Sequence, residues 1–487
     1  MWRNQSLKFL FLAEDKSAKM RFSPTHLFLL VLSIVFLWSC GDKRIRKPNI
    51  VLINIDDLGY KDVGFMGSEY YETPNIDILA KAGMIFTNGY AAASNCAPSR
   101  ASLMTGKWTP RHGIYTVNSS ERGKSKDRKI IPSTNTSTLS KESMVLPEVL
   151  QLNNYKTIHA GKWHLSESPL DYGFDINIGG GHNGHPKSYY PPYGNVKLRS
   201  PNKEYLTDLI ARQTIEVLNK TIEPFFLNYA PYAVHTPIQP VDSILSKYNR
   251  KTAWKGQNNA KYATMVENLD RNIGLLIAAL KDNGHYKNTL IIFTSDNGGL
   301  YGITKQQPLR AGKGSYYEGG IREPFFFMWN DKIKSNTKSN VPISHLDLFP
   351  SIVEAAGISY NETSLDGNSL LPILKQESTK LKRPLFWHFP IYLEAYNQND
   401  NENRDSLFRT RPGSVIREGD WKLHYYFENN EMELYNLTYD VGERNNLINT
   451  HPKKAKVLLQ QLKAWWKETS APIPEQLNPE YASLSED

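Results

Sequence analysis

Four short, almost unbroken apolar runs constrain this chain more than any other feature: residues 49–55 (NIVLINI), 156–160 (KTIHA), 224–229 (PFFLNY) and 289–294 (TLIIFT). A strand with one face in water alternates apolar and polar residues. These runs do not, so each predicts a strand covered on both faces. Helical stretches such as 75–82 and 262–280 separate them. That alternation predicts an α/β fold, a sandwich with a largely parallel central sheet and helices on both faces, over residues 47–365. Beyond 366 the texture changes to short aromatic-rich runs at 385–389, 414–416, 421–427 and 433–437, then a helical stretch at 451–469. A smaller C-terminal domain over 366–487, an antiparallel sheet with a helix laid on it, is the expectation. A chain of 487 residues has room for both.

The first 40 residues read as an address. The apolar run 27–38 (LFLLVLSIVFLW) is short for a bilayer span and follows Lys19, Met20 and Arg21, as an export signal does. It ends in Leu37-Trp38-Ser39-Cys40-Gly41, which resembles a bacterial lipoprotein cleavage site. Cys40 would then carry the lipid, the only membrane attachment expected, and the protein would be exported to the periplasm or cell surface. Met20 is an alternative start to Met1. With Cys40 lipidated, Cys96 has no intrachain partner and a disulfide scaffold is excluded. Removing the segment before Cys40, which holds five Lys/Arg and two Asp/Glu, lowers the formal charge from +9 to +6. A modest positive excess suits an anionic ligand, and no nucleic-acid motif is present.

In an open parallel sheet, ligands bind beyond the carboxyl ends of the strands. Each predicted strand is followed there by polar residues: Asp56 and Asp57 after the first, Lys162 and His164 after the second, His235 after the third, Asp296 and Asn297 after the fourth. Singly, each has a bland explanation, such as a turn cap or an interior histidine; four coincident strand ends are harder to dismiss. Three carboxylates and an amide offer only oxygen, which favours a hard cation, Ca²⁺ or Mg²⁺.

Residues 94–107 (SNCAPSRASLMTGK) add an anion site. Ser94 or Asn95 can cap a helix, Pro98 suits its first turn and Gly106 can end it. Cys96 would sit at the helix N-terminus, where free N–H groups favour an anion, with Arg100 one turn on. Lys313 and Arg322 lie in a glycine-rich stretch, GKGSYYEGGIRE. The residues alone point to a hydrolase of an anionic ester with a nucleophile at position 96. A thiolate beside a hard cation is an awkward pairing, since hard ions prefer oxygen. The charged stretch 121–129 (ERGKSKDRK) reads as a solvated loop.

The run from Cys96 to Lys107 resembles the signature C-x-P-S-R-x-x-x-[LM]-T-G-[RK] of the type I sulfatases. IDDLGY, GKWHL, HTP, TSDNGG, GKGSYYEGG and ELYNLTYDVGERNNL follow the same family's order, so the resemblance spans Asn49 to Leu447. It implies an alkaline-phosphatase-like sandwich with a smaller C-terminal domain. It also implies that a maturation enzyme oxidises Cys96 to Cα-formylglycine, whose hydrate attacks through oxygen and removes the mismatch. Asp56, Asp57, Asp296 and Asn297 match the family's calcium ligands. Arg100 matches the residue that steadies the formylglycine, and Lys162, His164, His235 and Lys313 match those around the sulfate. Catalysis is then covalent and in two steps, with His235 or Lys313 protonating the departing sugar oxygen and His164 taking a proton in the second step.

The expected substrate is a sulfated oligo- or polysaccharide, such as the algal ulvan or carrageenan, with host glycosaminoglycans as the other source. His182 and His185, with Tyr189 and Tyr190, are candidates to line the sugar pocket. Two rival readings are a phosphate or phosphonate ester hydrolase of the same superfamily and a non-catalytic lipoprotein that binds sulfated glycans.

Overall fold

The alternation of apolar side chains across β1 (Asn49–Ile55) shows how the central sheet is sandwiched. Val51, Ile53 and Ile55 enter one hydrophobic cluster, Ile50 and Leu52 the other, and all five are buried. Each such side chain contributes roughly 1.5–3 kcal/mol. The computed structural model describes residues 46–222, 224–359, 365–397 and 402–481. The predicted export segment 1–40, including Cys40, lies outside them.

The remaining strands of this sheet are β2 (Met84–Tyr90), β3 (Lys156–Gly161), β4 (Ile176–Ile178), β5 (Phe225–Ala230), β6 (Thr289–Ser295), β7 (Arg322–Met328), β8 (Thr337–Ser339) and β9 (Ile343–Ser344). They run in the order β4-β3-β5-β1-β6-β7-β2-β8, with β9 also paired to β2. β7 pairs antiparallel with both β6 and β2; every other pairing is parallel. Helices Pro74–Lys81, Leu206–Leu218 and Ala260–Asp282 contribute to one cluster. Helices Cys96–Thr105 and Leu348–Ala355 contribute to the other. The mostly parallel sheet covered on both faces is thus present.

Neither β2 nor β7 stands out in the sequence. Pro324 interrupts β7, and a proline within a run argues against a central strand. The register between β2 and β7 shifts between Phe86 and Gly89, opposite Pro324, so the missing N–H falls at an irregularity rather than in a regular ladder.

The C-terminal region folds as an antiparallel sheet, β10 (Leu385–Phe389), β13 (Gly413–Glu418), β14 (Trp421–Tyr426) and β15 (Glu431–Asn436), in that order. A small pair, β11 (Leu393–Glu394) and β12 (Phe408–Thr410), lies beside it in the chain. Helix Pro452–Thr469 packs Ala455, Leu458, Leu462 and Trp465 into the same cluster as Leu385, Trp387 and Ile416. Tyr90, Trp108 and Leu346 join that cluster, so the two sheets share a core. Among the described residues no helix is long and apolar enough to cross a membrane.

Candidate active site

Strands β3, β5, β1 and β6 are parallel neighbours, so their carboxyl ends lie side by side and the polar residues that follow them converge. Asp57 takes a left-handed φ of 58°, turning the chain straight after β1. The Val234 N–H donates to the Asp56 carbonyl at 2.9 Å and the Asp296 N–H to the Ile55 carbonyl at 2.9 Å, which pins the turns after β5 and β6 to that of β1.

Helix Cys96–Thr105 begins where the sequence predicts and is buried throughout; Gly106, at φ 65°, ends it. Asn95 is the N-cap residue, but its side chain makes no capping bond and instead reaches Thr116 Oγ1 at 3.5 Å. The first-turn N–H groups are therefore not capped by that side chain, as an anion site requires. Gly314 N–H donates to the Ser94 carbonyl at 2.9 Å and brings the Lys313 loop against Cys96.

Nine of the predicted residues form one bonded cluster. Cys96 Sγ lies 3.6 Å from Asp56 Oδ1, 3.7 Å from Asp57 Oδ1 and 3.2 Å from Lys313 Nζ. Lys162 Nζ donates to both oxygens of Asp56, at 2.8 and 2.9 Å. Lys313 Nζ donates to Asp57 at 2.7 Å and to His235 Nε2 at 3.0 Å. Arg100 Nε donates to Asp296 Oδ2 at 2.7 Å and its Nη1 to the Lys162 carbonyl at 3.0 Å. Asn297 Nδ2 donates to Asp57 Oδ1 at 2.8 Å. Its Oδ1 is buried with no partner among the described residues. Three buried carboxylates with that orphaned amide oxygen form a donor set of the kind hard divalent cations take.

Burial opposes every charge here, and the neighbours decide the outcome. It would raise the Asp57 carboxyl, but Lys313, His235 and Lys162 hold it well below the usual range. Asp296 is likewise lowered, Arg100 and Lys162 overcoming burial. Asp56 goes the other way: burial, aided by Asp296 and Cys96, raises it despite Lys162. That marks a carboxylate short of positive charge. His164, at φ 66°, is held neutral by burial and by Lys162, Arg100 and Lys313. Burial and Lys313 also lower His235, against the pull of Asp57.

A cleft of about 430 Å³ opens onto Cys96, Lys313, His164 and His235. His182 and His185 line it, and His185 stacks on His235 with ring centres 5.5 Å apart. Tyr189 and Tyr190 do not. Tyr189 is buried, its hydroxyl donating to the Tyr232 and His235 carbonyls, and the Tyr190 hydroxyl is turned to Pro240. Arg322 is also away from the site, bonded to the Thr87 carbonyl and Glu318. Sequence reasoning missed Arg122, Tyr396 and Arg409, all on the cleft wall. Arg122 belongs to the stretch that reads as a solvated loop, and no local motif marks the other two.

Residues 48–358 match the family model described as Sulfatase, and residues 312–471 match that of the C-terminal region of N-sulphoglucosamine sulphohydrolase. A sulfatase from Formosa agariphila is 32% identical, covering 93% of this chain and 95% of that protein. The N-acetylgalactosamine-6-sulfatase of Rattus norvegicus is 32% identical over 74% of this chain and 72% of its own length. Among solved structures, Ps i-CgsB in complex with k-i-k-neocarrahexaose aligns with a TM-score of 0.71 at 31% identity, covering 88% of this chain and 98% of that one. Members of this family typically use a metal and formylglycine, and the acidic cluster at Asp56, Asp57, Cys96 and His235 is a candidate metal site here. With a family model spanning most of the chain and relatives matching along nearly its whole length, the chain belongs to the sulfatase family and is a sulfuric ester hydrolase.

Proposed function

We propose that this enzyme removes sulfate from a sulfated carbohydrate, with residue 96 acting as hydrated Cα-formylglycine and calcium held by Asp56, Asp57, Asp296 and Asn297. The observation that carries the reading is the setting of Cys96. Its Sγ lies within 3.7 Å of Lys313, Asp56 and Asp57, at a helix N-terminus beneath a cationic cleft. That setting is built for oxygen and negative charge, not for a free thiol. The formylglycine hydrate would supply an oxygen nucleophile with a second hydroxyl, and the cation Lewis acidity beside it.

The chain's own residues do the rest. Lys162 and Lys313 are placed to offset charge on the sulfuryl oxygens, and the Asp296 bond fixes the Arg100 guanidinium beside position 96. Neutral His164, whose Nδ1 has no partner among the described residues, can accept a proton. The Lys313–His235 pair can deliver one to the departing sugar oxygen. A galactan of carrageenan type is the favoured substrate, supported by the neocarrahexaose complex of the 31% identical relative. A maturation enzyme acting on Cys96 is the implied partner, and the leader ending at Cys40 supports export and lipid anchoring. Residues 47–365 would form the catalytic domain and 366–487 a smaller domain that completes the cleft through Arg409 and Tyr396.

Mass spectrometry of the peptide containing residue 96 tests this directly. An aldehyde is expected, with activity proportional to the fraction converted. Cys96→Ala should fold and lose all turnover of a 4-nitrophenyl sulfate, while matched 4-nitrophenyl phosphate is a poor substrate for the wild type. Full activity with only unmodified cysteine at 96 would overturn the mechanism.

A further inference from the structure

Three cationic side chains line the cleft, Arg122, Lys313 and Arg409, and no Asp or Glu lines it among the described residues. Two of the three are matched. Lys313 is bonded to Asp57 at 2.7 Å, and Arg122 donates to Glu394 Oε1 through Nε and Nη2 at 3.1 and 2.7 Å. Arg409 is different. It sits on β12, is only 7% exposed, and makes no ion pair among the described residues. Its Nε donates to the Glu394 carbonyl at 2.9 Å and its Nη1 to the Lys313 carbonyl at 3.3 Å. Its one side-chain partner among the described residues is Tyr396. The guanidinium lies 3.6 Å from the centre of the Tyr396 ring, which fixes its plane.

A buried charge without a counter-ion is costly, and proteins keep such groups where something else completes the pairing. Glu394 reaches Arg409 only through its backbone carbonyl, and its carboxylate is bonded to Arg122 through Oε1. Among the described residues the cleft therefore carries positive charge beyond that of the residues placed around the reacting sulfate. Its volume of about 430 Å³ is also more than one sulfate needs.

Resting on the sulfatase reading above, we infer that Arg409, planted on Tyr396, binds a second anionic group of the same substrate, a sulfate ester or a carboxylate. The enzyme then selects glycans carrying two negative groups close together and cleaves one of them. Arg409 also braces the Lys313 loop: Gly314, at φ 87°, lets it approach, since a Cβ there would lie 2.7 Å from Nη1. Bracing alone would affect all substrates equally, and that separates the two roles.

The test uses three oligosaccharides that share one scissile sulfate. One has no other charge, one has a second sulfate ester and one a uronate carboxylate. For the converted wild-type enzyme, kcat/KM should be roughly 10–100-fold higher on at least one doubly charged substrate, mostly through KM, as a charge-assisted bond would give. Arg409→Gln should bring that ratio close to one, whatever it does to the common rate. Arg409→Lys, which keeps the charge but loses the fork and the stacking, should lower the ratio severalfold and serves if the Gln variant does not fold. Whichever substrate loses its advantage names the group bound. A wild-type ratio near one on both, or a ratio unchanged in the variants, overturns the inference and leaves the sulfatase reading intact. Failure of the wild type to cleave any of the three, or an aryl sulfate, overturns that reading and this inference with it.

Discussion

At His235 the two ring nitrogens have different partners, and that difference bears on the acid role proposed for it. Nδ1 lies 2.9 Å from the Thr236 carbonyl, which can only accept, so in the neutral ring the proton sits there. Nε2 then accepts from Lys313 Nζ at 3.0 Å, with the Asp57 carboxylate 3.4 Å away. The proton available to a leaving group is thus held between the two. A sugar alkoxide leaves poorly without a proton, whereas a nitrophenolate does not need one. His235→Ala should slow sugar sulfates by about 10²–10⁴-fold and an activated aryl sulfate much less. Equal losses on both, measured as kcat, would remove the acid role from this pair. Lys162 is buried and bonded to both oxygens of Asp56, a setting that fits the charge-offsetting role proposed for it.

The end of β3 shows how an element places a side chain of the candidate site. Gly161 closes the strand at φ 103°, where a Cβ would stand 2.0 Å from the Ala230 carbonyl oxygen. The next residue, Lys162, donates its N–H to that same carbonyl at 2.6 Å. Gly161→Ala must push β3 from β5 or lose the turn that aims Lys162. A stability loss of about 2–4 kcal/mol is expected from positive-φ strain and overpacking, with a fall in kcat as Lys162 shifts. Denaturant unfolding of the purified variant checks the first and aryl sulfate turnover the second; a variant as stable as wild type would refute the strain argument. Such elements were legible wherever one local property decided them. β1 matches its predicted bounds, and β3, β5 and β6 match to within a residue; β1, β5 and β6 are apolar-rich runs ended by polar residues, and β3 is bounded by Gly161. The signature helix was legible from its Pro and Gly. β7 was not, since its proline is tolerated only by an irregularity in the partner strand. Arg122 and Arg409 were not either. What makes them part of the site is that the chain folds residues 122 and 409 onto the same wall as Lys313, and no local spacing encodes that.

Across the whole molecule, polar seams are built from neutral histidines. His159 joins β3 to β5 through Asn228, His345 bonds Ser99 and Thr294, and His388 spans Ser414 and the Pro472 carbonyl. Burial lowers each ring to about 3. In the unfolded chain they titrate near 6.5, so above that pH they cost nothing. Below it the unfolded chain gains a proton that the native state refuses, and stability falls by up to about 1.4 kcal/mol per pH unit for each ring until pH approaches 3. Between pH 7 and pH 5 each should remove about 2 kcal/mol. Equilibrium unfolding at the two pH values measures this, and equal stability would mean that the rings are not buried neutral. The burial of Cys96, at 1% exposure, has a consequence in time rather than energy. If residue 96 is converted to formylglycine as proposed, a side chain this little exposed at the foot of the cleft leaves a maturing enzyme almost nothing to grip once the chain has folded, so conversion would have to win a race against folding. A molecule that folded first would be correctly shaped and inert. The yield of active protein from a given host would then measure the ratio of two rates.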